Sequence, residues 1–277
     1  MPVECAGRVE QRIPAGGTAE WEPLWLGQPG RRLYAALHQP PACARVGVVL
    51  AAPLLAEQPR SRRLMFEIAG ALVAQGLPCL RFDYFGTAES EGNGDEHDLD
   101  AMHADFDLAV AALRKHAAVA RVAVMAWRGA ALAASDWALR NSVDALVLCD
   151  PVVDGAAWLA ELEAADRRER VSRNRYPHGN GAAGTPDGQL LGFPASAAWR
   201  RGIASLRLAG MARGAYRTWA VLRDAADTPD WASHAFTLPP ATARFDGDTR
   251  MDATLFLSPP LRALIGELGK ELKTLEP

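Results

Sequence analysis

The sequence is short of features that would decide its class at once. It has four cysteines in 277 residues, at positions 5, 43, 79 and 149. No two of them share a zinc-like spacing, so a metal knuckle is excluded and no metal site is expected. Cys79 and Cys149 fall inside predicted strands, where a thiol behaves as a small apolar group. All four read as unpaired packing residues in a reducing compartment rather than as a disulfide framework. There is no excess of charge of one sign. A net charge of −3 offers no electrostatic footprint for nucleic acid or an anionic membrane. Long apolar runs are missing too. The longest, VGVVLAAPLLA (46–56), is too short to span a bilayer and contains a proline. The first residues, MPVECAGRVEQRIPAGG, lack an apolar signal core, and a cytoplasmic protein is expected. No internal repeat and no cofactor fingerprint is present.

What remains is a globular profile: 49% hydrophobic and 23% charged residues, enough for one large core or two modest ones. Residues 1–20 read as a flexible N-terminal tail. PLWLG (23–27) and RRLYAALHQP (31–40) suggest two strands joined by a Gly/Pro turn. RVGVVLAAP (45–53) is a continuous apolar run, the mark of a strand buried on both faces. Residues 61–76 place Leu64, Ile68 and Leu72 one helical turn apart and stop at Gly76. LPCLRFDYFG (77–86) is a further strand. Residues 98–116 form a helix with Leu99, Met102, Phe106, Val110 and Leu113 on one face and Asp98 and Asp100 at its positive end. Strands follow at 143–151 and 216–224, with one or two more between 234 and 257. A closing helix begins after Ser258. Buried strands alternating with amphipathic helices predict an α/β fold, with a mostly parallel central sheet and helices on both faces. Residues 152–215 break the rhythm and read as an inserted lid between core segments 21–151 and 216–277.

The most informative stretch is VAVMAWRGAALAA (122–134), a buried strand, a tight turn and an alanine-rich helix. In many hydrolases such a turn carries a nucleophilic Ser or Cys between small residues, so that the strained backbone can pass. The small flanks are here, as Ala126, Gly129 and Ala130. The central residue is Arg128. A guanidinium stays protonated and cannot attack a carbonyl.

This pattern resembles the α/β-hydrolase superfamily. RFDYFGTAESEG (81–92) looks like its D-x-x-G-x-G-x-S loop, with Asp83, Gly86 and Ser90 in place and Ala88 for a glycine. APLLAEQPRSRRLMFEIAGALVAQG (52–76) is similar to the bacterial exosortase-A-associated hydrolases, where Pro53, Glu57, Ser61, Arg62 and Arg63 line up with P-P-F-x-E-E-x-x-K-S-R-R. LLGFPASAAWRRGIASLRL (190–208) resembles their lid, and some members carry Arg at the turn. The resemblance implies a hydrolase fold over residues 24–275, with the acid of the triad after strand 216–222, at Asp227 or, less well aligned, Asp224. The family histidine should precede the closing helix, but ARFDGDTRMDATLFLSPP holds none. His234 lies too early and His178 sits in the lid. The family's His-Gly after the first buried strand is Ala51-Ala52-Pro53 here.

Three readings of Arg128 stand: an anion site helped by the helix N-terminus behind it, an internal ion pair with Asp227, Asp224 or Asp150 that plugs the pocket, or an ordinary surface residue in a shifted register. Ser90, Ser135 and Cys149 are candidate relocated nucleophiles, each with a packing or capping alternative. Glu57 with Arg62 and Arg63 could be a functional cluster or helix-start pairing. Arg167, Arg168, Arg170, Arg173 and Arg175 could grip a polyanion or coat a solvated helix. Trp158 and Trp199 could line a pocket or cement the lid. The candidate ligand-binding set is Arg128, Glu57, Arg62, Asp150 and Ser90. Two functions follow. One is a hydrolase-fold protein without the Ser/His pair, binding a small acyl or anionic ligand or serving as an accessory of exopolysaccharide and exosortase systems. The other is an ester, thioester or amide hydrolase or acyltransferase with relocated catalytic groups. No cofactor, nucleic acid or membrane span enters either.

Overall fold

A computed structural model describes residues 21–171, 188–209, 215–224, 228–242, 244–245 and 256–275. The sheet is assembled from β1 (Trp21–Leu26), β2 (Leu33–His38), β3 (Val46–Ala51), β4 (Cys79–Phe82), β5 (Arg121–Trp127), β6 (Ala145–Cys149), and two later strands. The later pair, Arg217–Leu222 and His234–Thr237, follows a small hairpin of β7 (Gln189–Leu190) and β8 (Phe193–Pro194), and so they are β9 and β10. The order is β1-β2-β4-β3-β5-β6-β9-β10. The β1–β2 and β2–β4 pairings are antiparallel, and every later pairing is parallel. The continuous apolar runs read from the sequence are the central strands. β3 and β6 are buried along their whole length, as is β5 after Arg121.

The pleat divides the interior in two. Val122, Val124 and Ala126 of β5 face one core, shared with α2 (Leu99–Ala117) and α3 (Ala130–Ala138). Ala123, Met125 and Trp127 face the other, shared with α1 (Glu57–Ala74) and α6 (Pro259–Lys273). Asp98 caps α2, accepting a hydrogen bond from the Ala101 N–H at 2.9 Å. Ser258 caps α6, with proline in the first turn and Leu261, Leu264, Ile265, Leu268 and Leu272 all buried.

Two boundaries differ from expectation. Helix α1 starts at Glu57, not at residue 61. Pro59 lies in its first turn, where the missing N–H would have no intrahelical partner anyway. Only β10 is described in the stretch from 234 to 257, and residues 246–255 lie outside the described residues, as does the 1–20 segment. The reading of all four cysteines as unpaired is also corrected. Cys79 and Cys149 are free and buried, but Cys43 is disulfide-bonded. Cys43 is exposed on the loop before β3, unlike Cys79 and Cys149, which are buried in strands. Among the described residues no helix is long and apolar enough to cross a membrane.

Between β6 and β9 the chain inserts α4 (Gly155–Arg170), the β7–β8 hairpin and α5 (Ala197–Ala204). The two helices are joined tightly. The Gly155 N–H donates to the Leu206 carbonyl at 3.0 Å, and a Cβ at Gly155 would come within 1.9 Å of the Ile203 oxygen. Asp166 is buried, pairs with Arg170 at 2.7 Å and accepts the Leu191 N–H at 2.8 Å. Arg200 donates to Glu163 at 2.8 Å. Arg167 and Arg168 are exposed, and Arg173 and Arg175 lie outside the described residues.

Trp158 of α4 is 5% exposed, packs edge-on to Trp199 of α5, and rests against Gly129. A Cβ on Gly129 would meet the Trp158 ring at 2.4 Å. Gly129→Ala should therefore destabilise the protein by about 1–3 kcal/mol through overpacking. Gly70→Ala, on α1 with nothing within 4 Å, should be neutral or stabilising through helix propensity. Thermal unfolding of the two variants checks this, and equal midpoints would contradict it.

Candidate functional site

Strand β5 ends at Trp127 and α3 begins at Ala130, so the chain reverses direction within two residues. Arg128 takes the turn with φ 55°, a left-handed conformation that costs a non-glycine residue about 1–2 kcal/mol. Its register is fixed from both sides. The Arg128 N–H donates to the Cys149 carbonyl at 3.0 Å, and the Arg128 carbonyl accepts from Ala131 at 3.1 Å and Val152 at 3.2 Å. The sharp bend expected at 128 is present, with Arg128 itself at its apex.

The guanidinium turns back over the sheet and meets Glu57 in a two-pronged contact. Nε lies 3.2 Å from Oε2 and Nη2 lies 3.3 Å from Oε1. Nη1 reaches the Asp150 carbonyl at 3.4 Å and its carboxylate at 3.6 Å. Asp150 follows β6 directly and is itself left-handed, with φ 44°. Its Oδ2 also receives Arg223 at 2.7 and 2.9 Å, and Arg223 donates on to the Thr242 carbonyl at 3.1 Å. Two carboxylates and two guanidiniums thus alternate across the C-terminal edge of the sheet. The Glu57 side chain is 6% exposed and Arg128 22%, so the pair is held mostly out of water. A carboxylate so buried needs a cation, and the fork geometry of arginine supplies charge and two directed hydrogen bonds together.

Three predicted residues, Arg128, Glu57 and Asp150, are brought together. Two are not. Arg62 and Arg63 do not join Glu57 in a cluster, which corrects that reading. Residues five and six apart point to different sides of a helix. Arg62 instead faces Asp83 at 3.5 Å and Glu89 at 4.0 Å, and Arg63 pairs with Glu67 one turn on at 2.8 Å. Ser90 fastens a loop. Its hydroxyl donates to the Asp83 carbonyl at 2.6 Å and accepts the Tyr34 N–H at 2.9 Å. Asp227 lies outside the described residues, and Asp224 is exposed. Arg223 escaped the sequence reading, although an arginine on the last turn out of a buried strand was a visible signal.

The other candidate nucleophiles are poorly placed for attack. Ser135 is buried in α3 with its hydroxyl unpartnered. Burial, and then the neighbouring Asp150 charge, pushes the Cys149 thiol well above its usual range. After β3 comes Ala52-Pro53, and Pro53 has no N–H to offer an oxyanion. The described histidines lie elsewhere. His38 is buried on β2, His103 lies against Asp136 at 3.2 Å, His116 is exposed near the end of α2, and His234 packs edge-on against Phe236. His97 is buried beside Tyr84 with Nδ1 unpartnered. His178 lies outside the described residues. Among the described residues no group of three or more His, Cys, Asp or Glu could hold a metal ion.

No protein-family model and no curated protein matches the sequence. Solved structures do match. The chain is similar to the hypothetical protein PA2218 of Pseudomonas aeruginosa, with TM-score 0.60 and 14% identity over 95% of this chain and 98% of that one. It is similar to Est1E of Butyrivibrio proteoclasticus, solved with ferulic acid bound, with TM-score 0.58 and 16% identity over 91% and 99%. Proline iminopeptidase of Mycobacterium smegmatis gives TM-score 0.56 and 12% identity over 91% and 99%. The chain has the α/β-hydrolase fold.

Burial, opposed by the Asp98 charge and a backbone hydrogen bond at Phe85, lowers the His97 pKa to about 4. An unfolded histidine titrates near 6.5, so between those values the unfolded chain binds a proton that the folded one does not. Stability should therefore fall as pH drops from 6.5 towards 4, by about 2 kcal/mol for this residue at pH 5. Urea unfolding at pH 7.5 and pH 5 should show a smaller loss on acidification for His97→Gln than for the native protein. An equal loss would contradict a buried neutral imidazole.

Proposed function

We propose that this α/β-hydrolase-fold protein has given up nucleophilic ester chemistry and serves as a ligand-binding or accessory protein. One observation carries the reading: the residue at the bend is a guanidinium already engaged by Glu57 and Asp150. It cannot attack, and as a positive charge it would disfavour a protonated imidazole beside it. The residue set Pro53, Glu57, Ser61, Arg62 and Arg63 supports a place among the exosortase-A-associated proteins, and hence a link to exopolysaccharide systems. The 152–215 insertion serves as a lid, and the packing of Trp158 on Gly129 supports a docked position for its helix α4. Core segments 21–151 and 216–277 form the remaining body. Arg128 serves first as an internal tie, and the small acyl or anionic ligand binds without covalent capture. The alternative of relocated catalytic groups gains no support from the surroundings of Ser90, Ser135 or Cys149.

A fluorophosphonate probe tests this on the native protein. No covalent label is expected. Arg128→Ser should also show no hydrolysis of p-nitrophenyl acetate above background, because restoring a hydroxyl does not restore its base. Labelling that disappears on substitution of Ser90 or Ser135 would overturn the proposal.

A further inference from the structure

Away from the bend, on the α1 side of the sheet, a half-open groove runs between α1 and the β2–β4 strand pair. Tyr34, Ala36, Gln58, Arg62, Met65 and Arg81 line it, with Asp83 at one end. Arg81 breaks the pattern of its strand. Strand periodicity puts it on the same face as Cys79, which is fully buried, so its side chain is driven inward between sheet and helix. There its Nε donates to Nε2 of His38 at 3.0 Å, and its guanidinium lies 5.4 Å from the centre of the Phe66 ring.

No carboxylate among the described residues lies within ion-pair distance of that guanidinium. Asp83 pairs instead with Arg62, at 3.5 Å, and accepts the Glu89 N–H at 3.3 Å. His38 adds no charge, since burial and then Arg81 itself hold its pKa near about 4. Cys79 remains a neutral thiol, its pKa raised by burial to about 12. The groups facing Arg81 are therefore Asp83, Arg62, Tyr34 and two neutral side chains, His38 and Cys79, with Glu89 beyond Arg62. Arg62 has two carboxylates within reach, Asp83 at 3.5 Å and Glu89 at 4.0 Å, whereas Arg81 has none among the described residues. A half-buried guanidinium with a single neutral acceptor gains when something else completes its hydrogen bonds. The space for that partner exists because Ala36, directly opposite Arg81 in the β2–β4 register, has only a methyl group.

We infer that this groove is a binding site for a small monocarboxylate, with the carboxylate on the terminal nitrogens of Arg81 and a short apolar chain against Ala36, Leu50 and Met65. Arg81 is the one cation of this group without a carboxylate at ion-pair distance among the described residues, and a single carboxylate would complete it. A phosphate dianion would bring its second charge against Asp83, and a neutral molecule would leave Arg81 as it is. This inference does not rest on the reading of the Arg128 bend.

Calorimetric titration of the full-length protein with butyrate, n-butyl phosphate and 1-butanol tests it. Butyrate should saturate one site, n-butyl phosphate should bind more weakly, and 1-butanol should not saturate. Arg81→Met should weaken butyrate at least about tenfold, the loss expected when a charge-assisted pair is removed. It should keep its fold, because an apolar side chain of similar length in place of a buried charge is often tolerated. Ala36→Val leaves Arg81 in place but fills the groove with a residue that favours strands, and it should weaken butyrate similarly. Failure of butyrate to saturate, tighter binding of n-butyl phosphate, saturation by 1-butanol, or native affinity in Ala36→Val would each overturn the inference.

Discussion

The contact between Arg128 and Glu57 is the interaction on which the site depends. It joins the bend after β5 to the first turn of α1, two points 71 residues apart in sequence. Through Asp150 and Arg223 the same line of charge continues to the ends of β6 and β9. Four parallel strands deliver these groups to one edge of the sheet, because chain segments leaving parallel strands all emerge at the same end. In a hydrolase that edge holds a nucleophile and its base. Here it holds alternating charges that satisfy one another. The backbone strain at Arg128 and Asp150 persists because the surrounding hydrogen bonds leave neither residue another conformation.

The inserted helices depend on the same bend. Trp158 can lie against the turn because position 129 has no side chain, and Trp199 backs it from α5. Gly129 has an ordinary helical φ of −60°, so what it supplies is room rather than an unusual backbone conformation. A turn built for close passage of backbone thus becomes the seat of an aromatic anchor. That arrangement favours rigid docking of α4 over the sheet edge.

Much of the architecture was legible in the sequence because the strongest signals are periodic. The runs at 46–51, 122–127 and 145–149 could only be strands buried on both faces, and the leucines of α6 repeat at helical spacing. The bend itself was visible from the small residues around Arg128. Contacts between distant segments were not. Glu57, Arg62 and Arg63 are neighbours in sequence, yet one faces the bend, one the β4 loop and one the solvent side of its own helix. Arg81 was hidden for a related reason. A single charge in an apolar strand carries no periodic signal, and only the three-dimensional neighbours tell whether it is paired. The α1 start was obscured by Pro59, which reads as a breaker but is harmless in a first turn.

A double-mutant cycle between Arg128 and Glu57 addresses the central claim most directly. Urea unfolding of Arg128→Met, Glu57→Gln and the combined variant gives their coupling free energy. The account predicts a coupling of about 1–3 kcal/mol, with the double variant more stable than the two single losses would add up to. Additive losses, within about 0.5 kcal/mol, would mean that the guanidinium at the bend and the carboxylate of α1 do not hold each other, and would contradict the account.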